Sequence, residues 1–397
     1  MDQSNHLTQL LPGFESSEGQ ICRSETGLPA RMKSLQARGT ARRMQPAAIG
    51  LGTLPLFSAY EIKLDEADYS NLVAVYDALP RFSWASKTVR DVSEMTTKIE
   101  GTLNNEPFKV ILKAVNIERP IKIKGKATGE TEWVSVYPGS REECVEEALR
   151  KFSTQSGKFN ETECSVRFSL YELKKELTVQ GHTITYSELR EALNILAESN
   201  LTIQTRTADG ETIDIKSNYL PLLYLRSRNK SSKNYVEAKD MPEEEKSIAT
   251  QCVAVLHPLI SRGIERGDFR LYHYGTSMRL TNGLAKILNR ELSLKWRNAS
   301  PTNPYSFSMV EFLSNTARGL GKRIPEDFRS MNVALQQLID QKVLTSFQST
   351  PVKKTTGKGA IDYIYQIYPH KEFVGVIVKG HRKVAALREQ LVSSGRD

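Results

Sequence analysis

Between Phe307 and Tyr368 the spacing of apolar residues changes from a helical period to a strand period. Met309, Phe312 and Leu313 share one face of a helix expected from Met309 to Arg318, and the turn Gly319-Leu320-Gly321 closes it. A second helix follows Pro325, which suits a first helical turn because its missing N–H would go unpaired there. Phe328, Met331, Leu335, Leu338 and Ile339 recur on it at helical spacing and are expected to face a core. The opposite face carries Arg329, Ser330, Asn332, Val333, Gln336 and Gln337. Beyond it, Val343 to Ser349 and Ile361 to Tyr368 roughly alternate apolar with polar residues and read as paired strands. Their connection, Pro351 to Ala360, holds Lys353, Lys354 and Lys358 among glycines and threonines. Helix, turn, helix, strand, basic loop, strand is the order of a winged helix.

Polar helix faces are the default in soluble proteins, and a basic hairpin tip is often only solvated. Arg, Asn and Gln, however, are the side chains that make paired hydrogen bonds to base edges in the major groove. Together with the basic loop they predict DNA binding by this stretch. Lys322 and Arg323 just before the second helix, and Arg279 further upstream, are candidate contacts to the DNA backbone.

The same order of elements occurs earlier. A strand at Trp133–Tyr137 and a Pro138-Gly139 turn lead into a helix from Arg141 to Phe152, with Val145, Ala148, Leu149 and Phe152 at core spacing. Helices at Ser169–Leu177 and Thr185–Glu198 follow, then strands at Leu201–Thr207 and Glu211–Lys216 around Asp209-Gly210. The outer face of this second presumed recognition helix carries Glu188, Arg190, Glu191 and Glu198. Carboxylates facing phosphates are repelled, so a structural or dimerising role with auxiliary DNA contact is expected here, and base readout in the later copy.

The expected class is therefore α+β, with tandem winged-helix domains behind a partly disordered N-terminal arm. Residues 1–58 form the arm, 59–130 an accessory region, 131–248 the first winged helix and 249–397 the second, which is the main DNA-binding domain. In the accessory region, Asp68–Leu79 and Lys87–Ile99 read as helices and Phe108–Val115 as a strand. Cys252–Leu259 reads as a strand entering a proline turn, and a helix follows to about Leu294. Its polar side presents Lys286, Arg290 and Lys295, which could approach phosphates. Phe373–Val378 reads as a strand, and Lys379–Lys383 as a basic turn before a last helix.

The arm holds Thr53-Leu54-Pro55-Leu56-Phe57, apolar residues in a polar setting. They either pack against the first domain or form a docking peptide, since Leu54, Leu56 and Phe57 could fill an apolar pocket. The peptide is similar to the Gln-Leu-x-Leu-Phe motif that binds the bacterial sliding clamp, with Thr53 in place of Gln.

Composition narrows the picture. The 397 residues carry 55 Lys and Arg against 46 Asp and Glu, a net charge of +9. From residue 301 onward the balance is 14 against 8, so most of the excess lies with the C-terminal domain, and an acidic polymer is the expected partner. Cys22, Cys144, Cys164 and Cys252 are far apart and form no Cys-x-x-Cys pair, so no zinc site or disulfide framework is indicated. No apolar run suggests a membrane helix or a signal peptide, and a cytoplasmic protein is expected.

Enzymatic motifs are missing. Gly319-Leu320-Gly321-Lys322-Arg323 lacks the first glycine and the hydroxyl residue of a phosphate-binding loop. His6, His182, His257, His273, His370 and His381 form no His-x-His pair of the kind a metal-dependent nickase would use. No catalytic residue, metal or cofactor is expected, and the chain reads as a non-enzyme.

Residues 132–368 resemble the plasmid replication initiator (Rep) family with two winged-helix domains. The carrying residues are Tyr137-Pro138-Gly139-Ser140-Arg141-Glu142-Glu143, then Val145 to Lys151. In the later copy they are Leu256-His257-Pro258-Leu259-Ile260 and Met278 to Ala285. The resemblance implies binding to repeated sites (iterons) in double-stranded DNA at an origin, opening of an adjacent segment, and recruitment of host replication proteins. It implies too a homodimer in equilibrium with monomer, autorepression, and the replicative helicase and sliding clamp as partners. A winged-helix transcriptional regulator without an initiator role, or a nicking replication enzyme, are the alternative readings.

Overall fold

A computed structural model describes residues 69–83, 88–89, 95–103, 106–123, 126–154, 159–160, 165–206, 212–226, 251–265, 268–353 and 359–393. The arm, with Leu54, Leu56 and Phe57, lies outside them, as do Lys354 and Lys358 at the tip of the later hairpin.

The first winged helix is built from α2 (Ser140–Ser153), β8 (Ser165–Phe168), α3 (Leu170–Val179), α4 (Tyr186–Glu198) and the hairpin β9 (Asn200–Arg206) and β10 (Thr212–Asn218). Both helices of its helix-turn-helix start in capping boxes. Ser169 pairs with Glu172 and Thr185 with Glu188, which satisfies backbone donors that the first helical turn leaves free. The hairpin is widened by β3 (Thr96–Leu103) and β4 (Glu106–Lys113) into a sheet of order β10-β9-β4-β3. Strand β4 alternates, burying Phe108, Val110 and Leu112. Val110 lies opposite Ile203 of β9, and Ile203 opposite Ile215 of β10, so one apolar row crosses the sheet.

A second hairpin, β5 (Val115–Ile123) with β6 (Lys126–Val136), pairs with β2 (Thr88–Val89). Val115, Ile117 and Val136 from it close over Ile195 of α4. The expected helix over Lys87–Ile99 is thus corrected to strand at Thr88–Val89 and from Thr96 onward. The helix expected over Asp68–Leu79 is β1 (Tyr69–Leu72) followed by the single turn α1 (Ala74–Asp77). Here pairing decides against local pattern, because β1 is completed by a distant partner, β13 (Arg270–His273).

The two halves share elements. Strand β12 (Cys252–Val255) pairs between β8 and β11 (Leu222–Tyr224), in a sheet of order β11-β12-β8-β7 that includes β7 (Phe159–Asn160). The proline turn expected after it is instead the start of a helix, α5 (Pro258–Glu265). Proline at a first helical position costs no hydrogen bond.

The second winged helix runs α6 (Tyr274–Arg279), α7 (Gly283–Lys295), β14 (Tyr305–Ser308), α8 (Met309–Ser314), α9 (Ile324–Asp340), β15 (Leu344–Lys353) and β16 (Ala360–Pro369). Its sheet has the order β14-β16-β15. Leu284, Leu288 and Leu292 of α7 meet Met331, Leu335 and Leu338 of α9 in its core.

The last element is a single helix, α10 (Lys371–Ser393), where a strand, a short basic turn and a final helix were expected. The β-branched run from Phe373 to Val378 reads as a strand by composition. Burial follows the helical period: Phe373 and Ile377 enter the second core, while Val376 and Val384 pack against the first. Gly380 lets this helix approach β13, since a Cβ there would sit 3.2 Å from the Leu271 carbonyl oxygen.

Candidate nucleic-acid interface

Helix α9 is fixed before it meets any ligand. At its entry Gly319 takes a positive φ of 66°, and the Gly321 N–H donates to Asp327 Oδ2 at 2.9 Å. Asp327 is buried and also pairs with Arg318 at 2.7 Å. A Cβ at Gly321 would stand 2.7 Å from Asp327 Oδ1, so glycine is required for this close approach. On the wing side Phe328 stacks on Tyr363 with ring centres 4.1 Å apart, and Tyr365 stacks on Phe307 at 5.5 Å. The Tyr365 hydroxyl donates to Asn332 Oδ1 at 2.8 Å. Asp362 of β16 accepts from Ser308 Oγ and from the Val310 N–H, joining the start of α8 to the same strand.

These contacts sort the expected reading residues. Arg329, Val333 and Gln336 are exposed and follow one another at spacings of four and three, a single stripe along α9. Among the described residues Arg329 has no hydrogen-bond or ion-pair partner. Gln336 Nε2 donates to Asp340 Oδ1 at 3.0 Å. Ser330 is half-buried, and Asn332 is half-buried with its oxygen engaged by Tyr365.

Gln337 does not join the stripe. Its Oε1 accepts from the Asn282 N–H at 2.9 Å, and its Nε2 donates to Thr281 Oγ1 at 2.7 Å. Both ends of its amide are used to hold α9 on the start of α7, where Asn282 is the N-cap. Its place one residue beyond Gln336 turns it sideways rather than outward.

The backbone candidates are distributed around the helix. Lys322 and Arg323 are exposed just before α9, with Arg323 3.6 Å from Glu326. Lys353 is exposed at the end of β15. Arg279 is exposed and donates to Gln341 Oε1 at 3.2 Å, beside the other end of α9.

Lys286 and Arg290 are corrected. Both are buried, and they face Glu143 and Glu147 of α2 instead of solvent. Arg290 bonds Glu143 and lies 3.2 Å from Glu147, while Lys286 lies 3.5 Å from Glu147 and 3.8 Å from Glu143. Burial acts to raise the Glu143 carboxyl, but Arg290 and then Lys286 outweigh it and hold it at about 2. The same polar face of α2 carries a second balanced group beside the first. Arg81 bonds Asp77 at 2.7 Å and Glu146 at 2.8 Å, and Arg150 bonds Asp77 at 2.7 Å. The polar face of this helix is thus buried against opposite charges from two different segments. Charges spaced three and four apart on α2 and α7 were the only signal in the sequence, and solvated faces look the same.

No protein-family model and no curated protein matches the chain. Among solved structures it is similar to a selenomethionine derivative of domains 2 and 3 of RctB, with a TM-score of 0.42 and 11% identity over 72% of this chain and 94% of that one. A second structure of RctB domains 2–3 gives 0.42 and 10%, covering 76% and 99%. The Pi initiator protein in complex with iteron DNA gives 0.38 and 14%, covering 58% and 91%. The side chains of the interface are this chain's own.

The first domain presents a different surface. On α4, Tyr186, Ser187, Glu188, Asn194 and Glu198 are exposed. Glu188 closes its capping box, accepting from the Thr185 N–H at 2.8 Å, and Glu191 is held by Arg119 at 2.8 Å and Arg141 at 2.7 Å. Part of the expected acidic face is therefore already neutralised within the fold. A cleft of about 1120 Å³ opens between the domains beside Arg141, Glu188, Arg297 and Phe307 and contains none of the stripe on α9. Among the described residues no helix is long and apolar enough to cross a membrane, and no cluster of His, Cys, Asp or Glu could hold a metal ion.

Proposed function

We propose that this chain is a non-enzymatic, sequence-specific binder of double-stranded DNA that initiates replication at an origin. The observation that carries the DNA-binding part is the exposed stripe Arg329, Val333 and Gln336 on a helix that its wing and α7 hold rigid. A rigid reader loses little side-chain and backbone freedom on binding, so more of its contact energy appears as affinity. The exposed cations Lys322, Arg323 and Lys353 surround the stripe and would supply the salt-dependent attraction to phosphates.

The initiator part is supported by the resemblance at Tyr137–Lys151, Leu256–Ile260 and Met278–Ala285, and by two winged helices joined through shared elements. On this reading the protein binds repeated sites in the cytoplasm, opens the origin, brings in the host helicase, and represses its own promoter as a dimer that dissociates to act. Footprinting of the full chain on the DNA flanking its own gene tests it. Several regularly spaced protected repeats support an initiator, and replication of a minimal origin plasmid supplied with the protein completes the case. One protected operator and no replication would leave a transcriptional regulator. Metal-dependent cleavage of the supercoiled origin would overturn the non-enzymatic reading.

A further inference from the structure

We infer that Val333 reads the 5-methyl group of one thymine, flanked along the groove by a guanine under Arg329 and an adenine under Gln336. This rests on the DNA-binding reading of α9 and adds to it the identity of three base pairs within a run of about four.

Val333 is 61% exposed in the middle of α9, although every other apolar side chain of the helix interior packs inward or is half-buried. A β-branched apolar residue at a solvated helix position gains no burial there and has a lower helix propensity than Ala, Glu or Lys. Its neighbours on the stripe are both hydrogen-bonding side chains, so it divides a polar surface with one methyl-bearing point. In the major groove only thymine offers an apolar group, its C5-methyl. Guanine offers two acceptors in the geometry of a guanidinium, and adenine an acceptor and a donor in the geometry of a carboxamide.

The dimensions agree. Arg329 to Gln336 spans about seven residues, about 10.5 Å of helix axis at about 1.5 Å per residue. At about 3.4 Å per base along a strand this is roughly three base steps, so the three side chains of the stripe reach over a run of about four base pairs. The bond from Gln336 to Asp340 uses one of the two amide hydrogens. One N–H and the carbonyl oxygen remain, and these are the pair that adenine needs. Asp340 is therefore a positioning residue, turning the amide plane before DNA arrives.

Full-length protein is used to select binding sequences from random duplex DNA, and each thymine of the selected site is then replaced by uracil, which differs only by the missing methyl. One replacement is expected to weaken binding about four-fold, the loss of about 0.8 kcal/mol for one buried methyl-sized group. In V333A, which places a better helix former at an exposed position, thymine and uracil at that place should bind within about a factor of 1.5 of each other. The selected site should also carry a guanine and an adenine on either side of that thymine, and R329A should relax selection at the guanine alone. If no single uracil matters to the wild type, or if the loss persists undiminished in V333A, the assignment is overturned while DNA binding stands. If no sequence is enriched, the DNA-binding reading of α9 fails and the inference with it.

Discussion

The buried group that joins α2 to α7 can be broken by one substitution, Arg290→Met. Arg290 and Lys286 are 7% and 6% exposed, and they oppose Glu143 and Glu147 at 11% and 4%, so two positive charges balance two negative ones out of water. Methionine keeps most of the volume and removes one charge. Two carboxylates then share Lys286, whose nitrogen lies 3.5 and 3.8 Å from them, and Ser277, which donates to Glu147 at 3.3 Å. Removing one partner of a buried pair costs about 3–5 kcal/mol, mostly because the remaining charge stays desolvated. A second figure comes from the linkage between folding and the Glu143 proton. Glu143 falls from its ordinary 4.5 to about 2, and at about 1.4 kcal/mol per unit this is roughly 3 kcal/mol of stability at neutral pH. A depressed carboxyl stabilises above its unfolded value and loses that contribution as pH falls from about 4.5 towards 2. Urea unfolding of the wild type should weaken in that window, and R290M should lose about 3 kcal/mol at about pH 7 with a shallower acid slope. The double substitution E143M/R290M removes one charge of each sign and should be more stable than R290M alone. A loss below about 1 kcal/mol in R290M, or simple additivity in the double variant, would refute the account.

Three further outcomes follow from named contacts. Q337A removes the bonds to Asn282 and Thr281, and should cost about 1–3 kcal/mol in urea melts while leaving the selected DNA sequence unchanged. K353A should flatten the dependence of log affinity on log salt by about one unit if Lys353 meets a phosphate, with no change in base preference. An unchanged slope would remove it from the interface. G263A places a Cβ 2.7 Å from both methyls of Val73 and should cost about 1–3 kcal/mol by overpacking, and V73A in the same chain should restore most of it.

Much of the second winged helix was legible because its periods are regular and its partners are local. Met331, Leu335 and Leu338 face inward as their spacing predicts, and the strands around the basic tip pair as the alternation requires. Legibility failed where a distant segment decides the outcome. Phe373 to Val378 has the composition of a strand, yet it lies between two cores that a helix can serve from different faces. Tyr69 to Leu72 becomes a strand because Arg270 to His273 supplies the other half of the ladder. At the interface, spacing placed Arg329, Val333 and Gln336 outward but could not separate Gln337 from them. The difference is one residue, about 100° of helix rotation, and it was settled by Asn282 and Thr281.

The charges show why binding residues are harder to read than core ones. Asp77, Arg81, Glu146 and Arg150 form one neutral buried group, and Glu143, Glu147, Lys286 and Arg290 another. Four cations and four carboxylates are thereby withdrawn from the surface without changing the net charge of +9. That excess must be expressed by the remaining side chains, among them Lys322, Arg323, Arg329 and Lys353 around α9. The same two groups tie the Tyr69–Phe82 segment and α7 to one polar face of α2, and α10 packs against both cores. A reading helix is useful for docking only if it cannot swing away from the rest of the molecule. Buried ion pairs are a weak way to gain stability compared with apolar packing, but they reject wrong registers strongly, because a shift leaves like charges together. The place of the second group, between α2 and α7, fits a task in which the angle between the domains matters more than the last few kcal/mol.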